Sequence, residues 1–167
     1  MNKEIEKIVK KLKGNLIGIG IKEERIIKLI DENNNITECN LLDCTDINNE
    51  EKGKNKKIKI KKLRKKFKKR RTNYIICNYK RIDDFKEKFI YDSIYICNKE
   101  IFIYSDEYID SLVRRYSRFA NVEINENNDG YIYKIKVNKN MNKFNEIYYK
   151  MIDNTISLVD FISNLLT

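Results

Sequence analysis

Ile5, Ile8, Val9 and Leu12 recur at i, i+3, i+4 and i+7, the spacing of a single helix face. Residues 2–13 are therefore predicted to form an amphipathic helix, closed by Gly14. The period then changes. Asn15 to Ile21 is an apolar run interrupted by Gly18 and Gly20, and Ile26, Ile27, Leu29 and Ile30 restore a helical repeat, so the prediction is strand, glycine turn, helix. After a polar turn at 33–35, Ile36 to Leu42 reads as a second strand. Two strands flanking one helix are expected to lie parallel.

The alternation continues beyond a long charged stretch. A short strand is expected near Ile58 and Ile60, a helix over Leu63 to Lys69, and a buried strand at Tyr74 to Asn78. Phe85, Phe89 and Ile90 fit a helix face within 83–94, and Ile101 to Tyr104 fits a strand following a turn at Asn98-Lys99. Ser105 is placed to cap a helix whose core face is Ile109, Leu112, Val113 and Tyr116. Val122 to Ile124, a turn at Asp129-Gly130, and Tyr131 to Val137 with apolar or aromatic odd positions predict a closing hairpin. A final apolar helix is expected over about 147–166. No internal repeat and no linker rich in Pro, Gly or Ser divides the chain. Repeated β-α units with a reversed last strand predict one α/β domain over 1–167, with its core at 14–137. Its sheet is mostly parallel and covered by helices on both faces.

Composition narrows the chemistry. The chain has no histidine, which removes Ser-His-Asp and Cys-His catalysis and histidine metal sites, and it has no GxxxxGK[ST] loop. Its four cysteines, Cys39, Cys44, Cys77 and Cys97, form no CxxC pair and are expected to be reduced and buried, with no metal bound. No secretory leader opens the sequence, and Lys150, Asp153 and Asp160 interrupt the apolar tail, so a cytoplasmic protein without a membrane segment is expected. The final helix is expected either to cover the sheet or to form a homodimer seam. The net charge of +10 is unevenly spread: 14 Lys or Arg and no acid fall between Lys52 and Arg71, leaving 21 basic against 25 acidic residues elsewhere. This basic insertion, 52–71, is the candidate nucleic-acid contact, RNA in the first instance. Its named candidates are Lys61, Lys62, Arg64, Lys65, Lys66, Lys68, Lys69, Arg70 and Arg71. Ile58, Ile60, Leu63 and Phe67 interleave with the charges, so part of the run is expected to fold onto the sheet.

The order of these features resembles the class I S-adenosylmethionine-dependent methyltransferases, a Rossmann-like family whose sheet ends in an antiparallel hairpin. The resemblance covers residues 14–137. It is carried by Leu16-Ile-Gly-Ile-Gly20, by Ile36 to Asn40 as second strand, by Tyr74 to Asn78 at the fourth-strand position, and by the hairpin from Val122 to Val137. It implies S-adenosylmethionine as cofactor, held at Gly18 and Gly20, where a missing side chain lets backbone approach the ligand. It also implies an acid at the end of the second strand for the ribose hydroxyls. Here Asn40 takes that position, with Glu38 two residues earlier and Asp43 three later. The fourth-strand motif of the amino-methylating members stands as Cys77-Asn78-Tyr79-Lys80 without the family's prolines, which puts Asn78 in the position of a site residue.

Three functions follow. The first is a methyltransferase with S-adenosylmethionine at Gly18, Gly20, Asn40 and Asn78, acting on nucleic acid held by the basic segment. The second is a catalytically inactive Rossmann-like domain that binds nucleic acid through that segment alone. The third is a domain for another nucleotide or small metabolite. No catalytic residue is named by the sequence.

Overall fold

The computed structural model describes residues 3–42, Leu63, Phe67, residues 71–82, 86–116 and 120–137, and Met151. The first element, α1 (Lys3–Lys11), buries Ile5 and Val9 and carries acids in its first turn and lysines in its last, each sign matched to the helix dipole. Leu12, one turn past Val9, is buried with them. The Asn33 side chain donates to the Val9 and Leu12 carbonyls at 2.8 and 3.3 Å, satisfying acceptors that the helix end leaves open.

Strand β1 (Asn15–Ile19) leads to α2 (Glu24–Glu32) and β2 (Glu38–Leu42). Beyond the basic insertion, β3 (Thr72–Asn78) runs into a 3₁₀ turn at Tyr79–Arg81. Then come α3 (Lys86–Ile96), β4 (Cys97–Ser105), α4 (Asp110–Tyr116), β5 (Asn121–Asn127) and β6 (Gly130–Lys136). The strands form one sheet in the order β2-β1-β3-β4-β6-β5. β1 is parallel to β2 and β3, β3 is parallel to β4, and β6 is antiparallel to both neighbours. This is the expected α/β, Rossmann-like architecture, mostly parallel with a closing antiparallel pair.

Alternation along the strands divides the core into two layers. Ile17, Ile19, Ile75, Cys77, Ile101, Ile103, Tyr133 and Ile135 face α3 and α4, with Leu63 of the basic insertion packed among them. Leu16, Ile76, Phe102 and Ile132 face α1 and α2. Leu63 is 1% exposed, and the Phe67 N–H, four residues on, donates to its carbonyl at 3.0 Å. Of the apolar residues interleaved in the basic run, Leu63 and Phe67 thus pack on the core, while Ile58 and Ile60 lie outside the described residues.

The structure differs from the sequence reading in several places. Asn98 and Lys99 are not a turn: β4 starts at Cys97 directly after α3, and the Asn98 side-chain oxygen accepts a hydrogen bond from Asn73 across the sheet at 3.2 Å. Ser105 does not cap α4, because it is buried at the end of β4, where its Oγ accepts the Glu107 N–H. The hairpin turns at Asn128-Asp129, with Gly130, φ +131°, as the first residue of β6. Cys77 and Cys97 are buried as expected, whereas Cys39 is exposed. Cys44, the strand near Ile58 and the final helix lie outside the described residues, apart from Met151, which is helical and exposed. Among the described residues no helix is long and apolar enough to cross a membrane.

Candidate functional site

From β1 the chain moves outward to β2, then returns to the other side of β1 to form β3. The crevice beyond the carboxyl ends of β1 and β3 is therefore a topological switch point, where open α/β sheets bind ligands. Gly20 lies there. It has φ +65°, its N–H donates to the Leu42 carbonyl at 2.9 Å, and a side chain on it would meet the Arg81 β-carbon at 2.7 Å and the Asn78 carbonyl oxygen at 3.2 Å. Only glycine suits that backbone angle and that approach. Gly18 plays a different part. It sits inside β1 between Leu41 and Ile76, and its bare α-carbon accommodates the Leu41 side chain, whose tip would lie 2.6 Å from an added β-carbon.

Asn78 ends β3 beside Gly20. It is 5% exposed, and its Oδ1 has no hydrogen-bond partner among the described residues. Its Nδ2 is 3.5 Å from Oε1 of Glu23, at the outer limit of a hydrogen bond. Glu23 immediately precedes α2 and makes no side-chain cap; its Oε2 accepts the Lys22 N–H at 3.2 Å, and its Oε1 lies beside Asn78. A buried acceptor of this kind costs about 1–3 kcal/mol if left unpaired, which is why such groups mark sites where a partner binds. The neighbouring strand end adds Tyr104, whose hydroxyl donates to the Asp129 carbonyl at 2.7 Å, and Asp106, which pairs with Lys80 at 2.6 Å. Burial, then Asp129 and Asp106, push the Tyr104 hydroxyl above its ordinary range, and the Asp106 hydrogen bond raises the Lys80 ammonium. Both stay protonated at neutral pH. Sequence reasoning did not single out Glu23, Tyr104 or Arg81 as site residues; their only signal was a place at, or two to three residues beyond, the end of a predicted strand.

Asn40 lies elsewhere. It pairs with Ile17 in mid-strand, two residues short of the end of β2, and its Nδ2 donates to Glu38 Oε1 at 3.0 Å. It shares a hollow of about 280 Å3 with Asn15, Glu38, Phe67, Arg71 and Thr72, toward the amino ends of the strands. Of the predicted site residues, Gly20 and Asn78 come together at the carboxyl end, with Gly18 behind them in the strand. Asn40 and Arg71 meet in the hollow. Lys61, Lys62, Arg64, Lys65, Lys66, Lys68, Lys69, Arg70 and Asp43 lie outside the described residues.

This architecture has solved counterparts. Over 98% of its length the chain superposes on 87% of TrmK from M. capricolum, solved in complex with the natural cofactor product S-adenosyl-homocysteine, with a TM-score of 0.51 and 14% identity. Spermidine synthase from Thermotoga maritima gives a TM-score of 0.53 at 11% identity, covering 83% of this chain and 58% of that one. The chain has the class I methyltransferase-like fold. No family model and no curated protein matches its sequence. In a methyltransferase-like sheet the Gly20–Asn78 crevice is the switch point, and the groups gathered there can orient a ligand and accept hydrogen bonds from it. Among the described residues no cluster of three His, Cys, Asp or Glu side chains is arranged to hold a metal ion.

Proposed function

We propose that the protein is a cytosolic S-adenosylmethionine-dependent methyltransferase that acts on nucleic acid, RNA in the first instance, held by the Lys52–Arg71 segment. The observation that carries this reading is the buried Asn78 Oδ1, without a hydrogen-bond partner among the described residues, at the carboxyl end of β3 beside the side-chain-free Gly20. The fold is shared with TrmK, which is solved with S-adenosyl-homocysteine. When bound, S-adenosylmethionine supplies a methyl group activated on a sulfonium centre. The chain's own residues position the partners: Gly20 offers backbone at close range, Asn78 accepts a hydrogen bond, and the Glu23 carboxylate beside Asn78 favours positive charge. Transfer by positioning asks little acid-base chemistry of the protein, which suits a site without histidine.

A second reading, a catalytically inactive domain that binds nucleic acid through the basic segment, has its own support. Asn40, which the resemblance put in the place of the ribose-binding acid, lies in mid-strand and donates to Glu38, and the Arg81 β-carbon closes on Gly20. Isothermal titration with S-adenosylmethionine and S-adenosylhomocysteine separates the two. Micromolar affinity, weakened at least tenfold in Asn78→Ala, is the result expected of the enzyme. No heat at millimolar ligand would sink it in favour of the inactive domain.

A further inference from the structure

The hollow of about 280 Å3 at the amino ends of β1, β2 and β3 takes no part in the cofactor reading, yet its lining is chemically coherent. On the β3 side stands Arg71, exposed and without an ion pair among the described residues, next to the buried Thr72. Phe67 is half-buried, packed against the core and fixed by its backbone bond to the buried Leu63. On the β2 side Asn40 spends one N–H on Glu38, which among the described residues leaves its own side-chain oxygen and the second Glu38 oxygen as acceptors. β1 separates the two sides, so they stand two strand spacings apart, roughly 10 Å.

We propose that this hollow binds a single unstacked nucleotide, its base against Phe67, the base edge read by Asn40 and Glu38, and its phosphate on Arg71. Unpaired bases are recognised by stacking on aromatic rings and by hydrogen bonds to their exposed edges. The charges fix the orientation: the Glu38 carboxylate repels phosphate and accepts from base N–H groups, while the Arg71 fork suits phosphate. A volume just under the roughly 300 Å3 at which drug-sized sites begin fits one nucleotide and no more. Two residues that the sequence suggested for different ligands, Asn40 for a cofactor and Arg71 for nucleic acid, meet here around one.

The inference rests on the nucleic-acid half of the proposed function and is tested by two separable measurements. Isotope-labelled protein is titrated with each of the four 5′-ribonucleoside monophosphates, and fluorescent single-stranded RNA is titrated with the wild type and with Asn40→Ala, Phe67→Leu and Arg71→Gln, each at wild-type unfolding midpoint. Amide shifts should cluster at Asn15, Leu16, Ile17, Asn40 and Thr72, largest with guanosine monophosphate, whose base edge carries adjacent donors. Each variant should weaken RNA binding five- to tenfold, and Arg71→Gln should lower the salt slope by about one. Nucleotide shifts confined to other surfaces, or three variants that bind RNA as the wild type does, would overturn the hollow and leave RNA binding by the basic segment standing. A wild type that binds no RNA but shows the nucleotide shifts would keep the hollow as a free-nucleotide site and sink the parent reading. Neither signal overturns both.

Discussion

At the scale of single residues, the two glycines of the Gly18-Ile-Gly20 pair make opposite demands. Gly20→Ala forces a side chain into φ +65° and against the Arg81 stem and the Asn78 carbonyl, so a loss of about 2 kcal/mol is expected. Gly18→Ala meets only the tip of Leu41, which can turn aside, so less than about 1 kcal/mol should be lost. Urea unfolding of both variants measures the difference, and equal losses would mean that the crevice backbone is not held as described. Cys39 makes a second residue-scale case. It is exposed, yet desolvation first, then Asp31 and Glu38, push its thiol from 9.0 to about 11. The folded state therefore holds the proton: any stability this contributes is present below pH 9 and lost as pH rises toward 11. At pH 8 its thiolate is about a hundredfold scarcer than in the unfolded chain, partly offset by a more nucleophilic anion, so alkylation should be about tenfold slower. Peptide mapping after iodoacetamide, native against denatured, reads that ratio.

At the scale of elements, β6 and α4 are tied by one buried hydrogen bond. The Ile109 N–H, at the entry to α4, donates to the Tyr133 hydroxyl at 2.7 Å, and burial raises that hydroxyl above its ordinary range. Tyr133→Phe leaves the donor unpaired in the core, and a loss of about 1–2 kcal/mol is expected in chemical unfolding. A loss below a few tenths would show that α4 is seated by packing alone. The odd-position pattern placed Tyr133 in the core, but its bond to a helix 24 residues earlier has no sequence signal. Elements with one buried face were legible: α1, α2 and the hairpin announce themselves by period, while β1, buried on both faces, shows only as an apolar run. Where burial is not one-sided the pattern fails. In α3, Tyr91, Asp92, Ser93 and Ile94 are all buried as well as Phe89 and Ile90, so two polar side chains that look like surface lie in the interior. Asn98-Lys99 has turn composition, yet it lies within β4, at the register irregularity opposite Asn73. The site follows the same rule. Gly20 and Asn78 were legible because they end apolar runs, whereas the place of Asn40 depends on register with Ile17, which pairing sets and composition does not.

At the scale of the whole molecule, charge and topology divide the labour. The candidate cofactor crevice opens at the carboxyl ends of the parallel strands, and the nucleotide hollow lies at their amino ends, four residues or about 13 Å along β1. A saturating ligand at one end should leave affinity at the other within about twofold, because a paired sheet between them offers no second arrangement to shift. Binding to a polyanion, in contrast, is a property of the entire chain. The basic segment holds 14 cations, and the remainder carries a net −4, so everything outside the segment repels phosphate weakly while the segment attracts it. Changing Lys61, Lys62, Arg64, Lys65, Lys66, Lys68 and Lys69 to glutamine takes the net charge from +10 to +3 and removes half of the segment's cations. Leu63 and Phe67, which pack on the core, are untouched, so the unfolding midpoint should stay within a degree or two of wild type. RNA affinity should then fall more than tenfold at low salt, and the slope of log affinity against log salt should flatten by about 0.7 for each phosphate of a single strand that is no longer neutralised. Weaker binding at an unchanged slope would mean that the lysines act by shaping the segment and not by releasing counterions. Unchanged binding would move the RNA surface away from this segment altogether.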